Sequence, residues 1–104
     1  METVEKRQHS REEVFIAVMV SPNGDEHRAA VYDLSESGAR VGLPANWTPH
    51  SGSALRLFFL LDKTNVIVLE GHVARVGIDH LGVQFAPSQE QSIHQLLAEV
   101  SGFS

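Results

Sequence analysis

Apolar and polar residues alternate along most of this chain, and the pattern changes to a helical period only near the C-terminus. Val14 to Val20 (VFIAVMV) is an unbroken apolar run rich in β-branched side chains, and it ends at Ser21-Pro22-Asn23-Gly24, a strong turn signal. A hairpin follows, with Arg28 to Leu34 as its second strand and Ala29, Val31 and Leu34 as the apolar members. Ala39 to Leu43 predicts a short third strand. Pro44 to Ser53 holds two prolines and a glycine and reads as a loop carrying the lone tryptophan, Trp47. From Leu55 to Leu61, apolar Leu55, Leu57, Phe59 and Leu61 alternate with Arg56 and Phe58, which suits a strand buried on at least one face. Asp62 to Asn65 turns the chain into a long strand, Val66 to Val76. Gly71 in its middle predicts a bulge or a sharp bend of the kind that closes barrels. A turn at Gly77 to His80 leads to a last strand, Leu81 to Phe85.

Beyond Pro87, Ser88 and Gln91 have the spacing of a capping box, with Ser88 as N-cap. Ile93, Leu96, Leu97 and Val100 then fall on one helical stripe suited to packing on a sheet, and Gly102 is placed to end the helix. These elements predict a mainly β chain: a six-stranded antiparallel β-barrel with a C-terminal α-helix. Residues 1–13, charged and without apolar periodicity, read as a flexible arm ahead of a barrel and helix spanning residues 14–104.

Composition narrows the function classes. A length of 104 residues allows one small core. The absence of cysteine excludes a disulfide framework, a thiolate zinc site and a cysteine nucleophile, and suits a reducing compartment. Eight Lys and Arg against thirteen Asp and Glu give a net charge of −5, which argues against a nucleic-acid polymer as partner. The charged N-terminus is no signal peptide, and no apolar run approaches the roughly 18–20 residues that span a bilayer. A cytoplasmic protein without membrane insertion is expected. None of the six histidines has the spacing of a zinc site, and no nucleophile elbow is present, so neither a metal, a cofactor nor an enzymatic activity is expected. Trp47 reads as a lid over the barrel core, because tryptophan buries a large area.

Two segments could carry chemistry. In the arm, Lys6-Arg7-Gln8-His9-Ser10-Arg11 places Arg7 and Arg11 four residues apart. A guanidinium can hold a phosphate or the O6/N7 edge of guanine through two hydrogen bonds, or stack on a base. Balanced by Glu2, Glu5, Glu12 and Glu13, the same run also reads as a solvated arm. The second segment, Asp33-Leu34-Ser35-Glu36-Ser37-Gly38, offers a carboxylate and a hydroxyl together, with Asp33 and Ser35 on one side of an extended chain. Gly38 allows a positive φ or close backbone approach. Guanine N1–H and N2–H₂ are donors that such a carboxylate accepts. An ordinary Asx or Ser turn between strands is the bland reading.

Together and in this order, R-x-x-x-R (Arg7, Arg11) followed by D-x-S-x-x-G (Asp33, Ser35, Gly38) around a first hairpin resembles the PilZ domain family, bacterial receptors for the second messenger cyclic di-GMP. The stretch VYDLSESGARVGLP is also similar to that family, and the resemblance runs from Lys6 through the terminal helix. It implies that Arg7 and Arg11 engage phosphates and guanine faces, that Asp33 and Ser35 recognise a guanine edge, and that Gly38 lets the backbone approach the ligand. Lys6 stands where many members carry another arginine associated with binding two stacked nucleotides rather than one, and lysine lacks the planar fork. Some relatives stack an aromatic side chain of a later strand on a base; here His72, Val73 and Arg75 occupy that region, so the platform is either missing or replaced by Arg75. The function implied is a cyclic di-GMP receptor that changes conformation on binding and signals to a protein effector in trans. The alternative is a nucleotide-independent interaction module of the same fold.

Overall fold

The computed structural model describes residues 16–62 and 64–101. Among them are six strands: β1 (Ile16–Val20), β2 (Glu26–Leu34), β3 (Gly38–Gly42), β4 (Ala54–Leu60), β5 (Val66–Val76) and β6 (His80–Phe85). All pair antiparallel in the order β1-β2-β3-β6-β5-β4, and β4 pairs back onto β1, Ile16 opposite Leu60, so the sheet closes into a barrel. Closure leaves no free sheet edge. The alternation read along the chain is what allows it: each strand points one face inward, and Met19, Val41, Leu57, Phe59, Leu69 and Leu81 have no solvent exposure at all. Phe59 and Phe85 meet edge to face across the interior, with centroids 6.1 Å apart. Strand positions match the sequence pattern to within two residues; Val14 and Phe15, expected to begin the first strand, lie outside the described residues.

The turns follow their local chemistry. Gly24 adopts φ 95° and donates its N–H to the Ser21 carbonyl, closing the β1–β2 hairpin. Asp62 Oδ1 accepts from the Thr64 N–H at 2.9 Å between β4 and β5.

Two expectations are corrected. Gly71 is not a bulge, since it pairs in register with both Leu55 and Phe85. Its bare Cα is needed because a Cβ would meet the Gln84 carbonyl oxygen at 2.5 Å. The ladder slips elsewhere, between Val31 and Asp33 in β2 and between Val73 and Arg75 in β5. The capping box is also not formed. A single 3₁₀ turn, Pro87–Gln89, precedes the helix α1 (Glu90–Ser101); Ala86 is its N-cap residue without a side-chain cap, and Ser88 lies within the turn. Gln89 secures the start instead: its Oε1 accepts from the Glu70 N–H at 2.9 Å, and its Nε2 donates to the Glu70 carbonyl. Ile93 and Leu96 of α1 are buried, Leu97 and Val100 pack against the same core, and the helix rests on β5. Gly102, expected as the helix stop, lies outside the described residues.

Trp47 packs against the core as expected of a lid, and its partner is His27 of β2, stacked at 3.9 Å with planes 7° apart.

Candidate functional site

The chemistry of this surface is set by the slip in β2. Ala29 and Val31 face the core, so strict alternation would turn Asp33 inward. The extra residue restores phase one position later: Leu34 packs on the core, and Tyr32 and Asp33 both stand outside, opposite Arg40 of β3. Bulges commonly re-aim side chains in this way. The slip in β5 does the same for Arg75, which is exposed although Val73 is fully buried. Each of the two bulges therefore ends on a charged residue held outside the barrel.

After Leu34 the chain leaves the strand and turns. Ser35 donates its N–H to the Gly38 carbonyl at 2.9 Å, and its Oγ accepts from the N–H groups of Ser37 and Gly38, each at 3.3 Å. Ser35 Oγ also shares a hydrogen bond with Ser37 Oγ at 3.2 Å, in which either hydroxyl can donate, and reaches the Gly38 carbonyl as donor at 3.4 Å. Ser35 thus spends its hydrogen-bonding capacity shaping its own turn. The Phe85 N–H donates to the Ser37 carbonyl at 2.8 Å, which ties the turn to β6. Gly38 does not take a positive φ; a Cβ there would run into the Val83 carbonyl oxygen, so the close approach it permits is that of β6. Among the described residues, no hydrogen bond or ion pair engages the Asp33 carboxylate.

A groove of about 340 Å³ opens over this turn, lined by Asp33, Ser35, Ser37, Gly38, Arg40, Gly82 and Gln84 along with Leu34, Ala39 and Val83. Its outer face is ordered by the strand register. Asp33 lies across from Arg40, Arg40 across from Gly82, and Gly82 across from Arg75, a single row over β2, β3, β6 and β5. Arg75 borders this row beyond Gly82 and is not among the groove-lining residues. Arg40, Gly82 and Gln84 were not singled out by the sequence pattern. The available signal was that Arg40 follows Gly38 by two positions on a strand and so shares its face.

Lys6, Arg7 and Arg11 lie outside the described residues. The first described residue of β1, Ile16, lies opposite Ala30 and Leu60, toward the end where β2 finishes with Asp33 and Leu34. No group of three or more His, Asp or Glu able to hold a metal ion occurs among the described residues, and no helix among them is long and apolar enough to cross a membrane.

The sequence model of the PilZ domain matches residues 5–102, nearly the whole chain. The chain belongs to the PilZ domain family. Its barrel is similar to the solved PilZ domain of CeSA from a cellulose-synthesizing bacterium, with a TM-score of 0.73 at 17% identity over 85% of this chain and 93% of that one. It is also similar to the PilZ domain of YcgR from Escherichia coli, solved with c-di-GMP, with a TM-score of 0.69 at 15% identity over 86% of this chain and 81% of that one. At these identities the likeness is one of fold: a closed six-stranded PilZ barrel with one C-terminal helix.

Proposed function

We propose that this PilZ protein is a receptor for cyclic di-GMP that changes conformation on binding and passes the signal to a protein effector in trans. The observation that carries the reading is the groove beside the Asp33–Gly38 turn, with an unengaged carboxylate at its edge and the arginine-bearing arm attached nearby. Asp33 accepts from the N1–H and N2–H₂ edge of one guanine. Ser35 holds the turn in shape, and Gly38 lets it lie flat on β6. Arg7 and Arg11 cover the phosphates and guanine faces from above. Arg11 precedes Ile16 by five residues, a reach of roughly 17 Å when extended, whereas Ile16 and Asp33 are separated by one strand spacing and three residues, roughly 11 Å. Lys6 adds charge at the arm without a planar fork. A groove of about 340 Å³ is at the small end for a ligand site, so it seats part of a dinucleotide and leaves the rest to the arm. Drawing the arm onto the barrel creates the surface an effector reads, an ordering switch.

Calorimetric titration with cyclic di-GMP, with GMP and cyclic GMP as controls, tests this. Saturable and selective binding is expected, and its stoichiometry distinguishes one bound nucleotide from two. Each charge-assisted hydrogen bond contributes about 1.5–3 kcal/mol, so Arg7→Ala and Arg11→Ala should weaken binding roughly ten- to a hundredfold. Absence of binding at high micromolar ligand would overturn the receptor reading and leave a nucleotide-independent interaction module.

A further inference from the structure

We propose that the outer face of β1, β4 and β5 is a self-association surface, on which a second copy of this chain docks. It shares no residue with the groove at Asp33 and needs no nucleotide. Three runs of the chain break the strand alternation: β1, residues 58–60 of β4 and residues 66–69 of β5 are apolar at every position. Strands covered on one face alternate, and unbroken apolar strands belong to sheets covered on both. The barrel interior covers one face, through Met19, Leu57, Phe59 and Leu69. The register sets six further side chains on the exterior in two adjoining rows, Ile16–Leu60–Val66 and Val18–Phe58–Val68. Val66 and Val68 are 45% and 41% exposed, and the other four are half-buried. The helix α1 enters the core with Ile93 and Leu96 and leaves the two valines uncovered. The exterior of β2, β3 and β6 instead carries Arg28, Asp33, Arg40 and Gln84.

Area sets the strength of such a pair. Three strands about 4.8 Å apart, over five residues of about 3.3 Å each, give a footprint of roughly 14 × 17 Å, about 240 Å². Stable specific interfaces bury about 800 Å² per partner, and weak transient ones fall below about 600 Å². Even with its rim this face belongs to the transient class, so the pair forms and separates with concentration. Two such faces pack as two sheets do, about 10 Å apart with their side chains interdigitated. Charge selects the occupant. A protein of net charge −5 repels its own copies in general. At this face it does not, because the bordering row carries both signs: Glu26 lies across from Val20, Val20 from Arg56 and Arg56 from Glu70, the last two paired at 3.1 Å. Arg28, exposed beside Val18, completes a border of Arg28 and Arg56 against Glu26 and Glu70, with no net charge. The six central positions carry no charge at all. A second copy therefore approaches here without the like-charge penalty it meets elsewhere, and a strongly charged partner gains nothing over it.

The test is the solution mass of the protein by sedimentation equilibrium without nucleotide, from about 10 µM to about 1 mM, the range in which weak pairs form. Val68→Glu, Val66→Glu and Ile78→Glu variants are compared with it, with a thermal melt of each. Ile78 is the control, an apolar residue 96% exposed at the far end of β5 from Val66. The expected result is a mass that rises from one copy toward two in the unmodified protein and in Ile78→Glu. Val68→Glu and Val66→Glu should stay at one copy throughout and melt like the unmodified protein at low concentration. Val66→Glu keeps the comparison sound if Val68→Glu perturbs the strand. Pairing that survives both glutamates would place the contact elsewhere and overturn the proposal. Equal loss of pairing in Ile78→Glu would overturn it too, since added charge alone would then separate the copies. A single copy at every concentration would overturn it and leave the face to a different protein or to the chain's own first fifteen residues. None of these results bears on the receptor reading, which the nucleotide titration tests separately.

Discussion

At Gly71 a methyl group would lie 2.5 Å from the Gln84 carbonyl oxygen, a backbone atom with no freedom to swing aside, and at Gly38 the Val83 carbonyl is closer still. Gly82 sits on β6 itself and has room. The three glycines look alike in the sequence, and only the register of the neighbouring strand separates them. That difference predicts their tolerance. Gly71→Ala should lower unfolding free energy by about 1–3 kcal/mol, the usual cost of overpacking, while Gly82→Ala should be neutral or slightly stabilising because a strand gains from a side chain. Urea denaturation of both variants decides the matter, and equal stabilities would refute the close-approach account of Gly71. The same limit applies to Ser35 and Asp33. Their residue types pointed to a polar site, but the sequence alone left open which one is consumed by the turn and which faces outward. Hydrogen-bond partners are set by how the loop folds over β6.

Single residues acquire their direction from the elements that carry them. The alternation in β4, β5 and β6 made the core legible from the sequence, because a period of two survives any choice of partner strand. The bulges were not legible. One extra residue in β2 shows as Leu34 falling out of phase with Val31, and the sequence cannot distinguish that from an exposed leucine at a strand end. The start of α1 misled in the opposite way, since Ser88 and Gln91 satisfy a local rule that Pro87 and the tertiary pull of Gln89 override. Gln89 is the side chain that joins helix to barrel here, making both hydrogen bonds that the Glu70 backbone offers. Gln89→Ala leaves the Glu70 N–H without its acceptor, although Ala86 still donates to the carbonyl at 2.9 Å. The expected loss is about 1–3 kcal/mol, with faster hydrogen exchange at the Glu70 amide than at its strand neighbours. An unchanged exchange rate there would show that the helix is held without Gln89, by its apolar stripe and the hydrogen bond that Asn65 donates to Glu99 at 3.2 Å.

Taken as a whole, the molecule divides its charges unevenly. Three of its eight cations (Lys6, Arg7, Arg11) and four of its thirteen anions (Glu2, Glu5, Glu12, Glu13) precede residue 14, which leaves five cations against nine anions on the remainder. An anionic ligand approaching that remainder meets net repulsion, relieved locally by Arg40 and Arg75. The arm is therefore where most of the attraction must come from. Among the described residues, the strand pairing that closes the barrel runs from Ile16, opposite Ala30 and Leu60. Removing residues 1–13 should accordingly leave a cooperatively melting barrel within a few degrees of the full chain. Cyclic di-GMP binding should fall below that of any single barrel variant, and added salt should change what remains very little, because the arm charges whose attraction salt screens have gone. A truncated protein that binds like the full chain would place recognition on the barrel alone, and one that loses its cooperative melt would make residues 1–13 part of the fold. Between these outcomes, a folded barrel that no longer binds assigns structure to the closed sheet and capture of the ligand to the arm.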